Sequence, residues 1–530
     1  MSQNRIAKRR PTRSSFGHVI HESNRVIDFA VLAALTILSL LIHGYHPYAE
    51  DAAIYIPAIR KDVDPSLYPF GSEFFTSHAH MTLFDEIIAG FVKAVHIQVD
   101  TALLIWHLLC IFLLLASSLL LSELVCMDRS HRWTAVCVIS SVLTIPVAGT
   151  ALLMMDPYLN PRSLSTPLTL FAITAALKGQ NIIGVTCLLA LAPLHPLMAI
   201  YGAILWTIVR LNRGNAFQIV WKWAQASAFS WRTRPKWAPA TTYVFVLPFC
   251  LSLFSITSRL PPVSPAYHDA LLTRSYFFLK DWAWYEWFGA IAPLLLMGLF
   301  ASRRSSPASK ELCRACIMFG SAAIATGIVF SVSPRFDSLA EIQPMRAFHP
   351  IYVIFFVLLG SVLGDFALRR SVARHALFLS PVCLVMFFVQ RATFPADPHV
   401  EWPGLRSSNG WVKAFEWIRD HTPPSAIIAL DPDHMNAPNE DHQGFRAIAE
   451  RSMIADYGKD AGVVTMFPGL ATEWKKETDA LRSWNRFDET DFRKLSQSYG
   501  VSWVVLRKPS KAGLVCPYQN DSVLVCQVCK

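Results

Sequence analysis

Apolar runs of span length alternate with short polar turns up to about residue 394. About 20 apolar residues in an α-helix cross the hydrocarbon core of a bilayer. By that measure the pattern predicts spans at about 26–42, 101–125, 133–155 and 164–177. The run 182–209 is too long for one comfortable helix. Pro193 and Pro196 bracket His195 near its middle, and proline removes a donor and clashes with the preceding turn. The run therefore divides into two spans with His195 at the turn. Further spans are predicted at about 239–256, 284–300, 312–332, 351–366 and 376–389. The apolar stretch 83–96 carries Asp85, Glu86 and Lys93. It is too short and polar to span and reads as an interfacial helix.

From 395 onward the pattern changes. Asn409–His421 places Trp411, Phe415 and Ile418 on one helical face. The runs 426–430, 501–506 and 523–528 read as strands, and 492–499 as a helix. The expected fold is mostly α: a polytopic membrane helical bundle of about eleven spans with a small C-terminal α/β soluble domain. It divides into a basic tail (1–25), a membrane domain (26–394) with a first outer loop at 43–100, and the soluble domain (395–530).

Composition agrees. The chain is 53% hydrophobic and 16% charged, against roughly 25% charged in soluble domains. Its net charge of +10 does not point to nucleic acid, because Lys and Arg lie in short clusters between apolar runs. With a cytoplasmic N-terminus, the clusters at Arg129/Arg132, Lys178, 210–236, 303–314 and 369–374 all fall inside. An odd number of spans puts residues 395–530 outside, in the periplasm or extracellular space if the membrane is a bacterial inner membrane. The first run follows Arg5, Lys8, Arg9, Arg10 and Arg13 with no Ala-x-Ala cleavage site, so it reads as an uncleaved first span. Cys516 and Cys526 can bridge across a terminal hairpin if that end is in an oxidising compartment. The Cys313/Cys316 and Cys526/Cys529 pairs fall on opposite sides, which argues against a shared metal.

This topology gathers the chemistry on the outer face. Glu50 and Asp51 follow the first span, Arg162 opens the fourth, His195 sits at the split, and Arg335 and Arg346 share a later loop. A carboxylate can take a proton from an attacking hydroxyl. Arginine can hold phosphate oxygens and the charge of a leaving group. Each residue also has a plainer reading. Glu50 and Asp51 suit a solvated loop or helix cap. Arg346 suits an interfacial anchor or a pair with Glu341, Arg162 a helix start, and His195 a partner for a freed carbonyl. His78 and His80 mark no third metal ligand.

The stretch Gly44-Tyr-His-Pro-Tyr-Ala-Glu-Asp-Ala-Ala-Ile-Tyr55, in a long first outer loop with an interfacial helix, resembles membrane glycosyltransferases of the GT-C fold. Phe415-Glu-Trp-Ile-Arg-Asp-His-Thr-Pro-Pro-Ser-Ala-Ile-Ile-Ala and Gly444-Phe-Arg-Ala-Ile-Ala-Glu-Arg-Ser resemble the soluble outer domains of bacterial proteins of this type. The resemblance implies a polyprenyl-phosphate sugar donor, a hydroxyl acceptor and a carboxylate base. Glu50 and Asp51 are the matching positions, with Asp51 favoured. A divalent metal stays open as a cofactor, although no separate Asp-x-Asp follows in later loops. The alternatives are a transporter or flippase of a lipid-linked or polar substrate, or a non-catalytic envelope scaffold. A transporter would place polar groups at mid-membrane in broken helices, often in two repeats. The spans here are almost free of charge and no repeat is detected, which favours the enzyme.

Overall fold

The computed structural model describes residues 14–128, 131–213, 263–302, 306–331, 334–437, 440–510 and 513–528. The basic residues at 5–13, the expected span at 239–256 and most of the basic, Trp-rich segment before it lie outside the described residues, as does Cys529. Six helices among the described residues are long and apolar enough to cross a bilayer: Arg25–His43, Val99–Val125, Trp284–Ser302, Pro307–Ser331, Arg335–Leu368 and Val372–Thr393. The chain is a mostly helical membrane protein with a small sheet.

Of the ten expected spans that fall among the described residues, six have this length and apolarity. The expected third span is a ten-residue helix, Arg132–Ser141, too short to cross. A two-stranded hairpin follows, with β1 (Pro146–Val147) antiparallel to β2 (Leu152–Leu153). Pro146 withholds a helical donor. Gly149 turns with φ +64°, and an added Cβ there would lie 2.5 Å from the Trp282 ring. The expected fourth span is α-helical over Pro161–Lys178 but is rich in Ser and Thr, is nearly all buried, and is not among the six. Its Ser165, Thr166 and Thr169 hydroxyls donate to carbonyls three or four residues back. The run 182–209 does break at His195, between Asn181–Leu191 and Pro196–Arg213.

Residues 43–82 are not a solvated loop. They form α1 (Ala52–Val63) and α2 (Glu73–Ala79), and Ala52 through Arg60 are buried. The helix α3 (Phe84–Val95) lies against α1 with Phe84, Ile88 and Val92 inward. These short helices form a platform at one end of the long ones.

The C-terminal region packs on this platform. Its sheet runs β4–β3–β5–β7–β6, where β3 is Ile427–Ala429, β4 Ser452–Met453, β5 Val501–Arg507, β6 Val515–Gln519 and β7 Val523–Gln527. The first three strands are parallel and the last two join antiparallel. A disulfide links Cys516 and Cys526 across β6 and β7. The helix Gly410–His421, capped by the Asn409 side chain, buries Trp411, Phe415 and Ile418 beneath the sheet.

Backbone pairing ties the two parts together. Tyr45 bridges Val400 and Ala49 bridges Gln443. The Gly444 N–H donates to the Tyr48 carbonyl at 2.9 Å. A Cβ on Gly444 would lie 2.6 Å from that of Ala53, so only glycine allows this approach. Buried Arg60 of α1 pairs with both Asp100 and Glu450.

Candidate functional site

The end of the first long helix and the start of α1 are held between the other long helices and the C-terminal region. Asp51 therefore enters a cavity of about 100 Å³ that Arg162, His195 and Arg346 also line. Asp51 occupies the N-cap position of α1, yet its carboxylate accepts no capping hydrogen bond. The charge faces outward instead. Oδ1 lies 3.3 Å from Lys459 Nζ and Oδ2 lies 3.7 Å from Arg162 Nη1. The Asp51 N–H donates to Tyr158 Oη at 3.4 Å.

Glu50 stands beside the cavity rather than lining it. It adopts φ +52° and accepts from Lys459 Nζ at 2.5 Å, with His442 Nδ1 3.6 Å away. Arg162 is buried at the first turn of its helix and donates to Asp156 at 2.8 Å. Asn160 donates to the same carboxylate oxygen at 2.6 Å. Arg346 lies on a 3-10 turn, Pro344–Ala347. Its Nε has no hydrogen-bond partner, and among the described residues it makes no ion pair with Glu341. His195 follows the helix break, with its N–H donating to the Leu191 carbonyl at 3.0 Å. Arg335 is exposed at the start of the 3-10 helix Pro334–Ile342 and does not line the cavity.

Two cations were not singled out by sequence. Arg274 lines the cavity and donates to the Gly458 carbonyl at 2.5 Å. A Cβ on Gly462 would come within 2.1 Å of its guanidinium, so the bare glycine makes room for it. Lys459 begins the short helix Lys459–Val464 of the C-terminal region, and its side chain is 11% exposed. Arg274 was visible as a charge in a polar loop, whereas Lys459 carried no signal, sitting in Tyr-Gly-Lys-Asp, which reads as a surface turn. His78 also lines the cavity, edge-on to the Tyr55 ring at 5.2 Å.

Electrostatics follow from this crowding. Burial pushes the Asp51 carboxyl up, but Lys459, Arg162, Arg274 and Arg346 outweigh it and hold the group well below the usual carboxylate range. Glu50 shows the same balance, with burial opposed by Lys459 and His442, and ends below its usual value. Burial would lower the Lys459 ammonium, yet Glu50 and Asp51 raise it. Burial pushes His78 down to about 4, so its imidazole is neutral at pH 7. Four cations thus face the carboxylates of Glu50, Asp51 and Asp156. The arrangement suits an anion.

It does not suit a divalent cation. Divalent ions take several carboxylate or carbonyl oxygens, but here Lys459 and Arg162 already engage the acids. Among the described residues no group of three or more His, Cys, Asp or Glu is placed to hold a metal. A larger cleft of about 790 Å³ lies by Arg60, Asp100 and Trp402. It excludes Asp51, Arg162 and Arg346, so the smaller cavity is the chemical candidate.

No family model matches the chain, and no curated protein does either. Among solved structures, the apo crystal structure of an oligosaccharyltransferase from Archaeoglobus fulgidus is similar at a TM-score of 0.36 and 14% identity, over 90% of this chain and 69% of that one. At that distance the likeness carries no inference about activity.

Proposed function

We propose that this chain is a GT-C-type membrane glycosyltransferase. It moves a sugar from a polyprenyl-phosphate donor to a hydroxyl acceptor at the outer face of the membrane. The observation that carries the proposal is an uncapped carboxylate, Asp51, ringed by Lys459, Arg162, Arg274 and Arg346 at the end of a bundle of apolar helices. The donor phosphate binds at Arg346 and Arg274. The acceptor hydroxyl attacks the anomeric carbon and the sugar–phosphate bond breaks. Asp51 takes the hydroxyl proton, and the cations hold the charge on the departing phosphate.

In the free chain the four cations make Asp51 a weak base. A bound phosphate neutralises part of their charge and raises the affinity of Asp51 for a proton, so donor binding prepares the base. The Cys516–Cys526 bridge supports an oxidising, outer location for the C-terminal region. The test is transfer from a panel of polyprenyl-phosphate sugars by purified protein and by Asp51→Asn, Glu50→Gln and Arg346→Ala. Loss of transfer in Asp51→Asn and Arg346→Ala, at normal expression, supports the proposal. Full activity in all three variants overturns the site.

A further inference from the structure

Lys459 is 409 positions from Glu50 in sequence, yet it bonds to that carboxylate and to the next one. We propose that the Lys459 ammonium stands where a divalent cation would sit between Glu50 and Asp51, so that the C-terminal region completes the site and transfer needs no metal ion. The inference rests on the glycosyltransferase reading for what the site does, but not for how the cation is held.

The geometry has three parts. First, one Nζ lies 2.5 Å from Glu50 and 3.3 Å from Asp51. It bridges two acids from adjacent residues, as a small cation would. The second Asp51 oxygen faces Arg162 at 3.7 Å, so both Asp51 oxygens are engaged.

Second, Lys459 is held in place by a buried network. Its own N–H donates to Asp456 Oδ1 at 2.7 Å. Asp460 accepts two bonds from Arg446 at 2.6 and 2.8 Å, and a third from the Asp456 N–H at 2.8 Å. The Arg446 carbonyl accepts from Tyr68 Oη at 2.9 Å, which ties the network to the platform. Burying an Arg–Asp pair is costly unless its remaining polar groups are satisfied, and here they hold the turn that aims Lys459. A surface lysine would have no such support.

Third, a fixed ammonium supplies what a metal would without a coordination shell. It neutralises the paired acids beside the phosphate site. It offers three donors and no Lewis acidity, so the charge on the leaving phosphate falls to Arg346 and Arg274.

The test uses full-length protein and has a readout that needs no substrate. Mn²⁺ is titrated into wild type, Lys459→Ala, Lys459→Arg and Asp51→Asn, with free Mn²⁺ followed by electron paramagnetic resonance. Wild type and Lys459→Arg are expected to take up no stoichiometric Mn²⁺. Lys459→Ala, in which the Glu50–Asp51 pair loses its bridging ammonium, is expected to bind one ion at least about tenfold more tightly than wild type. Wild-type transfer is expected to survive EDTA, while Lys459→Ala loses about 100-fold in turnover. Stoichiometric Mn²⁺ in wild type that disappears in Asp51→Asn overturns the inference. So does transfer abolished by EDTA and restored by a divalent ion, or Lys459→Ala that gains no Mn²⁺. If Lys459→Ala does not fold, the wild-type arms decide. If no sugar donor supports transfer, the glycosyltransferase reading fails while the Mn²⁺ titration still judges the role of Lys459.

Discussion

Two arginines of the site differ in what surrounds them, and this separates their structural from their chemical roles. Arg162 and Asp156 are both buried and bonded at 2.8 Å. Removing one partner leaves an uncompensated buried charge, so Arg162→Ala is expected to cost about 3–5 kcal/mol, read as a lowered unfolding midpoint in detergent. Arg346 is half-buried and its Nε is unbonded. Arg346→Ala should change stability by no more than about 0.5 kcal/mol and instead raise KM for the donor. Equal stability losses in the two variants would contradict this division. Asp51 gives a pH prediction. Its folded value is depressed, so its stabilising contribution is complete above about pH 4, the ordinary carboxylate value. The contribution is lost as pH falls through the lower folded value. The difference in stability between wild type and Asp51→Asn should hold steady from neutral pH down to about pH 4 and shrink as the pH falls from there toward the lower folded value. A difference that shrinks already near neutrality would refute the depressed value.

At the scale of elements, the platform depends on close approach. Gly444 touches Ala53 of α1 where any side chain would collide. Gly444→Ala is expected to cost about 1–3 kcal/mol, measured by thermal unfolding, because both contacts are backbone-anchored. Gly462→Ala is different, since the colliding atom is the end of the flexible Arg274 side chain. Stability should barely change while donor KM rises, because Arg274 is pushed from the cavity. The elements also show where sequence reading succeeds. The helix Gly410–His421 lies where its periodicity puts it, with Trp411, Phe415 and Ile418 buried on one face, and the strands Val501–Arg507 and Val523–Gln527 lie on the short apolar runs 501–506 and 523–528. Residues 133–155 mislead because a hydropathy window averages over Pro146 and Gly149, whose backbone chemistry decides the hairpin. Residues 43–82 mislead in the opposite sense. Their polar groups are paired within the fold, as Arg60 is with Asp100 and Glu450, so polarity there does not mean exposure.

At the scale of the molecule, the site joins two parts of the chain. Asp51, Arg162, His195 and Arg346 could be singled out because each is a polar residue next to an apolar run, and the fold brings all four to one cavity. Lys459 could not, because its meaning lies in a contact across most of the sequence. Arg335 shares the loop of Arg346 but ends outside the cavity, since sequence nearness does not fix direction. The most direct test of the whole account is sugar transfer from polyprenyl-phosphate donors, compared between wild type and Asp51→Asn at matched expression. The account predicts transfer by wild type and a loss of about 10²–10⁴-fold in the variant. Wild-type transfer that Asp51→Asn retains in full would contradict it.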